Sequence, residues 1–166
     1  MDIKSLYREI VNEHNLHPSH KKDLQNPTMV LRGINPSCGD DISLQLVMKD
    51  GVIEDAAFNG SGCAVSQASA DMMCDLCIGR KASEAEHLSE LFMRMIRQND
   101  LTQQEKEELD EAASLEDVAH MPARVKCATL GWRTMKQIID DLNRNGLPDG
   151  TAAASGADAC GACQVK

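Results

Sequence analysis

Aromatic side chains are nearly missing from this chain of 166 residues: they make up 2 % of it, with Trp132 the one tryptophan and Tyr7 the one tyrosine. Single-stranded nucleic acids are held by stacking bases on such rings, so that class of function is excluded. Basic residues are scarce as well. Seventeen Lys and Arg stand against 26 Asp and Glu, a net charge of −9, which argues against any phosphate backbone as partner. No apolar run reaches the length of a signal peptide or a membrane span, so no membrane partner is expected and the expected compartment is the reducing cytoplasm. Seven cysteines, an odd number, read there as metal ligands or reactive thiols rather than as disulfides. What is present is a chain 42 % hydrophobic, enough for one core and too short for two large ones.

The negative charge is concentrated. Between Glu84 and Asp117 eleven acidic residues face only Arg94, Arg97 and Lys106, so this stretch carries eight of the nine net charges. It reads as a solvated helical surface, with a docking face for a basic partner as the sharper alternative.

Ile3, Leu6, Tyr7, Ile10 and Val11 recur at helical steps behind Asp2, which predicts an amphipathic opening helix. His14, His17 and His20 fall at its end and are read as a solvated, fraying terminus rather than as ligands. An apolar run over 28–34 closes at Asn35-Pro36. Ile42, Leu44, Leu46 and Met48 then alternate with polar residues up to Asp50-Gly51, a strong hairpin signal, and Val52 to Phe58 is the returning strand. Residues 64–78 predict a helix ended by Gly79. Ser83 with Glu86 and Thr102 with Glu105 are capping-box patterns that open two more. Pro122 suits the first turn of a long last helix, periodic through Trp132 and Ile139 to Gly146. The fold class is α+β: a small antiparallel sheet of about three strands packed by helices. Residues 1–146 form the domain, with 84–121 an acidic helical insertion, and 147–166 are expected to be a flexible tail.

Three cysteines and an aspartate stand out by their settings: Asn35-Pro36-Ser37-Cys38-Gly39-Asp40, Gly60-Ser61-Gly62-Cys63-Ala64-Val65-Ser66 and Pro122-Ala123-Arg124-Val125-Lys126-Cys127. Three thiolates with one carboxylate suit tetrahedral zinc. The expected topology puts Cys38 and Asp40 in the loop before a strand and Cys63 just after the last one, hence at one end of the sheet. Cys63 and Cys127 are both expected in the first turns of helices, where a thiolate is favoured. A carboxylate is a harder and more exchangeable zinc ligand than a thiolate, so such a site has the means to release a ligand. The ligands are separated by one, 22 and 63 residues, so only the folded chain can assemble them. Cys74-x-x-Cys77 and Cys160-x-x-Cys163 offer two further dithiols. The 82 residues between them far exceed the roughly 15–20 of a zinc ribbon, and Cys74 and Cys77 read as small core residues.

Taken in order, Asn-Pro-x-Cys-Gly-Asp, Gly-x-Gly-Cys-Ala-x-Ser and Pro-Ala-Arg-x-Lys-Cys-Ala-x-Leu resemble the U-type iron–sulfur cluster assembly family, over residues 1 to 146. Within it the chain resembles the zinc-dependent sulfur-relay branch called SufU, related to IscU and to the N-terminal domain of NifU. Scaffold members carry a histidine before the last cysteine where this chain has Lys126, and they lack most of the acidic segment. The resemblance implies zinc held by Cys38, Asp40, Cys63 and Cys127, and as partner a SUF-type, pyridoxal-phosphate-dependent cysteine desulfurase. A desulfurase histidine would take the place of Cys38 on the zinc, and Cys38 would then accept persulfide sulfur as a sulfurtransferase, with Arg124 stabilising anionic sulfur. A downstream iron–sulfur scaffold would receive that sulfur. The alternatives are a scaffold that assembles a transient iron–sulfur cluster on the same four positions, and a zinc protein whose metal only staples loops. A monomer is expected, and the tail dithiol Cys160 and Cys163 is left without an assigned role.

Overall fold

The computed structural model describes residues 3–98 and 100–145; the expected tail, with Cys160 and Cys163, lies outside them. The chain runs α1 (Ile3–Leu16), β1 (Met29–Asn35), β2 (Asp40–Lys49), β3 (Val52–Ser61), α2 (Ala64–Cys77), α3 (Ala82–Gln98), α4 (Gln103–Leu109), a 3-10 segment (Asp110–His120) and α5 (Pro122–Asn145). The three strands form an antiparallel meander in the order β1-β2-β3, so the α+β expectation holds. Among the described residues no helix is long and apolar enough to cross a membrane.

The sheet follows from alternation. Ile42, Leu44, Leu46 and Met48 of β2 all point into the core, as a period of two requires. The turn at Asp50-Gly51 has positive φ at both residues, 53° and 78°, which is the backbone that lets the β2–β3 hairpin twist correctly. Asn35 pairs with Asp40, so β1 and β2 are a hairpin too. Asp40 therefore opens β2 instead of lying in the loop before it, and Cys38 alone remains in the connecting turn. The outer edge of β3 is covered by the segment after α1: Phe58 donates to the His20 carbonyl at 3.0 Å and accepts from Lys22 N–H at 3.1 Å, which removes an open edge.

Helices α1, α2, α3 and α5 bury one face of the sheet and each other. Gly131 of α5 sits against Ala70 of α2, where an added Cβ would stand 3.4 Å from the Ala70 backbone, so the two helices cross closely. Phe92 of α3 stacks on Trp132 of α5 at 4.5 Å between ring centres, a contact worth about 0.5–1.5 kcal/mol beyond area burial. The Trp132 indole donates to Ser69 Oγ at 3.1 Å, and Ser69 in turn donates to the Ala128 carbonyl at 2.6 Å, so no polar atom of this contact is left unpaired. The acidic stretch is amphipathic, with Leu88, Leu91, Phe92, Met95 and Ile96 of α3 inside the common core. Ala112, Leu115 and Val118 of the 3-10 segment recur every three residues and are buried together, the face that a three-residue turn produces.

Two further expectations are corrected. Thr102 and Glu105 do form a reciprocal capping box at α4, but α3 starts at Ala82, ahead of Ser83. Its first turn is set by the Lys81 carbonyl, which accepts from Glu84 and Ala85, and by Ala82 N–H on the Gly51 carbonyl. Docking on the hairpin turn has overridden the local cap signal. The second correction concerns His14, which is not a solvated helix end. Its ring lies 2.7 Å from the buried carboxylate of Asp71 and 2.5 Å from Glu111. Asp71 also accepts the His20 N–H at 2.8 Å, so its carboxylate ties α2 to α1 and to the segment along the β3 edge, while Glu111 joins the 3-10 segment to the same His14 ring.

Burial works against the charged imidazolium of His14, but the hydrogen bonds it donates to Asp71 and then Glu111 outweigh this, and its pKa is raised. A raised folded pKa gives stability that is fully present below the unfolded value of about 6.5 and is lost as pH rises through the folded value. His14→Gln is therefore expected to lower unfolding free energy by about 1–2 kcal/mol at pH 6, the exposed Glu111 arm being screened. Urea titrations across pH 5.5–9 check this, and a difference between the two proteins that stays constant with pH would contradict it.

Candidate metal centre

The end of the sheet where β1 turns into β2 faces the N-terminal ends of α2 and α5. Cys38 stands in the turn 36–39, just before Gly39, whose φ of 71° is the left-handed value glycine takes at no steric cost. Asp40 is the first residue of β2 and Cys127 lies in α5. One ligand atom from each of Cys38, Asp40 and Cys127 falls within 4.8 Å of the other two, and the Cys38 and Cys127 sulfurs are 3.0 Å apart.

Cys63 stands at the rim of this group. It is the N-cap of α2, its sulfur accepting the Ser66 N–H at 3.4 Å, and its side chain also reaches Cys127. Thus three of the four expected ligands are gathered and the fourth is adjacent. Cys127 also departs from expectation: α5 begins at Pro122, which puts Cys127 in the second turn, beyond the N–H groups that a helix end leaves free. Cys63, the N-cap of α2, stands at such an end and Cys127 does not.

The carboxylate is the most firmly held member. Asp40 is fully buried, and its Oδ1 accepts the Cys63 N–H at 2.9 Å with the Ser66 hydroxyl at 3.1 Å. Its Oδ2 accepts from Asn35 Nδ2 at 3.3 Å, and the same amide reaches Cys127 Sγ at 3.7 Å. Asn35 is itself buried, with its Oδ1 lacking any hydrogen-bond partner. Gly62 must be glycine, since a Cβ there would run into Ser66 Oγ and come within 2.9 Å of Asp40 Oδ1. Asn35 and Ser66 lie inside the two motifs read from the sequence, yet only the fold shows that they orient Asp40. Outer-sphere hydrogen bonds of this kind fix how a ligand meets its metal.

Charge at the site is unbalanced toward anions. Burial, followed by the neighbouring Cys38, Asp40 and Cys63 groups, pushes the Cys127 thiol far up. No cationic side chain among the described residues pairs with Asp40. Arg124 is exposed on α5 and reaches both Cys63 and Cys127, whose sulfurs raise its pKa, Cys63 first. Tyr7 of α1, half-buried, faces the same group; burial raises its hydroxyl pKa, Arg124 opposes this, and Asp117 and Cys63 add to it. A soft, partly buried set of thiols with one carboxylate and no internal countercharge fits a divalent ion such as zinc. Cys74 and Cys77 are elsewhere, buried within α2. Burial raises Cys74 and pushes Cys77 up to about 12, Arg80 opposing in the second case, so they are inert core thiols.

Comparison with known proteins gives the family of the chain. The NifU-like N terminal domain family matches residues 6–147. The chain is 39 % identical over 137 residues to the iron-sulfur cluster assembly scaffold protein IscU of Streptococcus pyogenes serotype M1, covering 82 % of this chain and 84 % of that one. It is 34 % identical over 136 residues to the zinc-dependent sulfurtransferase SufU of Bacillus subtilis, with 82 % and 90 % covered. A crystal structure of a putative iron-sulfur cluster assembly scaffold protein for the SUF system, from Fervidobacterium islandicum AW-1, superposes with a TM-score of 0.74 at 29 % identity, over 80 % of this chain and 96 % of that one. The chain belongs to the NifU-like N-terminal domain family, whose members include these iron–sulfur cluster assembly proteins.

The thiols differ sharply in access, which alkylation can read. With a chelator present at pH 8, Cys38, the exposed thiol among those described, is expected to react with iodoacetamide about tenfold or more faster than Cys127, with Cys74 and Cys77 slowest. Peptide mass mapping over time measures the order; equal labelling of Cys38 and Cys127 would contradict the geometry.

Proposed function

We propose that this protein is a zinc-dependent sulfurtransferase of iron–sulfur cluster biogenesis, which stimulates a SUF-type, pyridoxal-phosphate-dependent cysteine desulfurase and accepts its sulfur on Cys38. The observation that carries the reading is the uneven anchoring of the ligand set. Asp40, Cys63 and Cys127 are rooted in a strand, a helix cap and a helix and are hydrogen-bonded there. Cys38 is exposed in a glycine-containing turn, held by the Ala123 carbonyl at 3.7 Å and its contact with Cys127. Supporting it are the sulfurtransferase SufU of B. subtilis as a relative and Lys126 in place of the scaffold branch's histidine.

Cys38, Asp40, Cys63 and Cys127 would hold the zinc, and the bound ion would favour thiolate over thiol at each sulfur. The rest is done by the chain itself. The Cys38 thiolate attacks the outer sulfur of the desulfurase persulfide; a new S–S bond forms on Cys38, the old S–S bond breaks, and the electron pair leaves with the desulfurase cysteine as its thiolate. No external oxidant or reductant is consumed. Asn35 and Ser66 keep Asp40 in place while Cys38 moves, and Arg124, which reaches Cys63 and Cys127, would balance anionic sulfur there. The sulfur then passes to a downstream iron–sulfur scaffold.

A second reading is supported by the relatives named as IscU scaffolds, among them the S. pyogenes protein and one from Thermotoga maritima at 35 % identity over 144 residues. Thiolates suit iron as well as zinc, and on this reading the same residues would carry a transient cluster. Desulfurase turnover with cysteine as substrate separates the two. The zinc-loaded protein should stimulate it severalfold or more, and Cys38→Ala should remove the stimulation while leaving zinc on the protein's other three ligands. Stimulation undiminished in Cys38→Ala would rule out the sulfur-acceptor role; none from either protein would favour the scaffold.

A further inference from the structure

A cavity of about 580 Å³ lies between α3 and α5, lined in part by Arg94, Arg97, Arg133 and Lys136. Four cations around one cavity are unexpected in a chain with net charge −9, and they are not equally satisfied. Arg94 bonds Glu105 at 3.0 Å and Asp100 at 3.4 Å. Lys136 has Glu86 at 3.3 Å and Asp140 at 3.8 Å, and feels the charge of Glu90 as well. The two carboxylates that line the cavity, Glu90 and Asp140, thus act on Lys136.

Arg97 and Arg133 have no carboxylate partner among the described residues. The Nε of Arg133 is buried without any hydrogen-bond acceptor, a donor whose desolvation is uncompensated. Burial first, and the nearby charge of Arg97 second, lower its pKa. Two guanidinium groups repelling each other beside a cavity, neither with a carboxylate partner among the described residues, are relieved by an anion placed between them. Met93 and Trp132 supply an apolar wall, and the volume is that of a small-molecule site.

We propose that this cavity binds a small organic oxyanion, a phosphate or carboxylate carried on an apolar or aromatic group, with Arg97 and Arg133 as its partners. The oxyanion lies between the guanidinium groups of Arg97 and Arg133 and offsets their mutual repulsion, and the apolar part lies against Met93 at the cavity wall, above the buried Trp132. The site is separate from the metal centre and stands whether the protein proves to be a sulfurtransferase or a scaffold.

The test is calorimetric titration of the full chain as purified with phenyl phosphate and with benzoate at matched ionic strength, with the indole N–H resonance of Trp132, the one tryptophan, as site reporter. Saturable binding is expected that shifts this resonance, is about tenfold weaker in Arg97→Gln and Arg133→Gln, and is unchanged in Arg144→Gln. Binding of phenyl phosphate alone assigns the phosphate class, and of benzoate alone the carboxylate class. Should Arg133→Gln fail to fold, Arg97→Gln, at an exposed position, decides. No binding of either probe, or equal affinity in wild type and Arg97→Gln, overturns the proposal.

Discussion

The structure depends most on how the carboxylate of Asp40 is held. It is buried at the mouth of the β1–β2 hairpin and takes hydrogen bonds from the α2 N-terminus through Cys63 N–H and Ser66, and from β1 through Asn35. An ionised carboxylate out of water is tolerated only when fully hydrogen-bonded or balanced by a cation. The chain meets the first condition with two neutral side chains and a backbone amide. A bound divalent ion would meet the second, so the same residues that close the fold also shape a candidate metal centre. Gly62 is part of this constraint, because any side chain there would occupy the space of Ser66 and Asp40.

From that fixed point the thiols acquire different duties. Cys127 is buried in a long helix that packs on β1, α2 and α3, and Cys63 caps α2; neither can leave without unsettling a core element. Cys38 sits in an exposed turn, where its sulfur meets the Ala123 carbonyl and the Cys127 sulfur. A candidate ligand set with three members rooted in regular elements and one in an exposed turn suits exchange at the exposed one, whereas a purely structural zinc site gains from anchoring all four. This asymmetry, more than the identity of the ligands, separates a sulfur acceptor from a metal staple.

Much of this was legible in the sequence because the signals were local. The alternation of β2, the Asp50-Gly51 turn, the Thr102–Glu105 capping box and the three cysteine motifs each carry their meaning within a few residues. What escaped was set by contacts distant in the chain. The start of α3 obeys the hairpin turn it docks on rather than Ser83. His14 reads as a frayed end until Asp71 and Glu111, 57 and 97 residues away, are brought to it. The same holds for Asn35 and Ser66, ordinary polar residues in sequence that become the supports of Asp40 once the strands and helix meet. Cys127 lies one turn further into the helix than the sequence suggests, because α5 already begins at Pro122.

The most direct test of the central claim is to locate the transferred sulfur. After brief incubation of the zinc-loaded protein with a cysteine desulfurase and cysteine, the trapped persulfide should be mapped by peptide mass spectrometry. The account predicts one added sulfur atom, on the peptide bearing Cys38 and on no peptide bearing Cys63 or Cys127. Sulfur on Cys63 or Cys127 with Cys38 unmodified would contradict it.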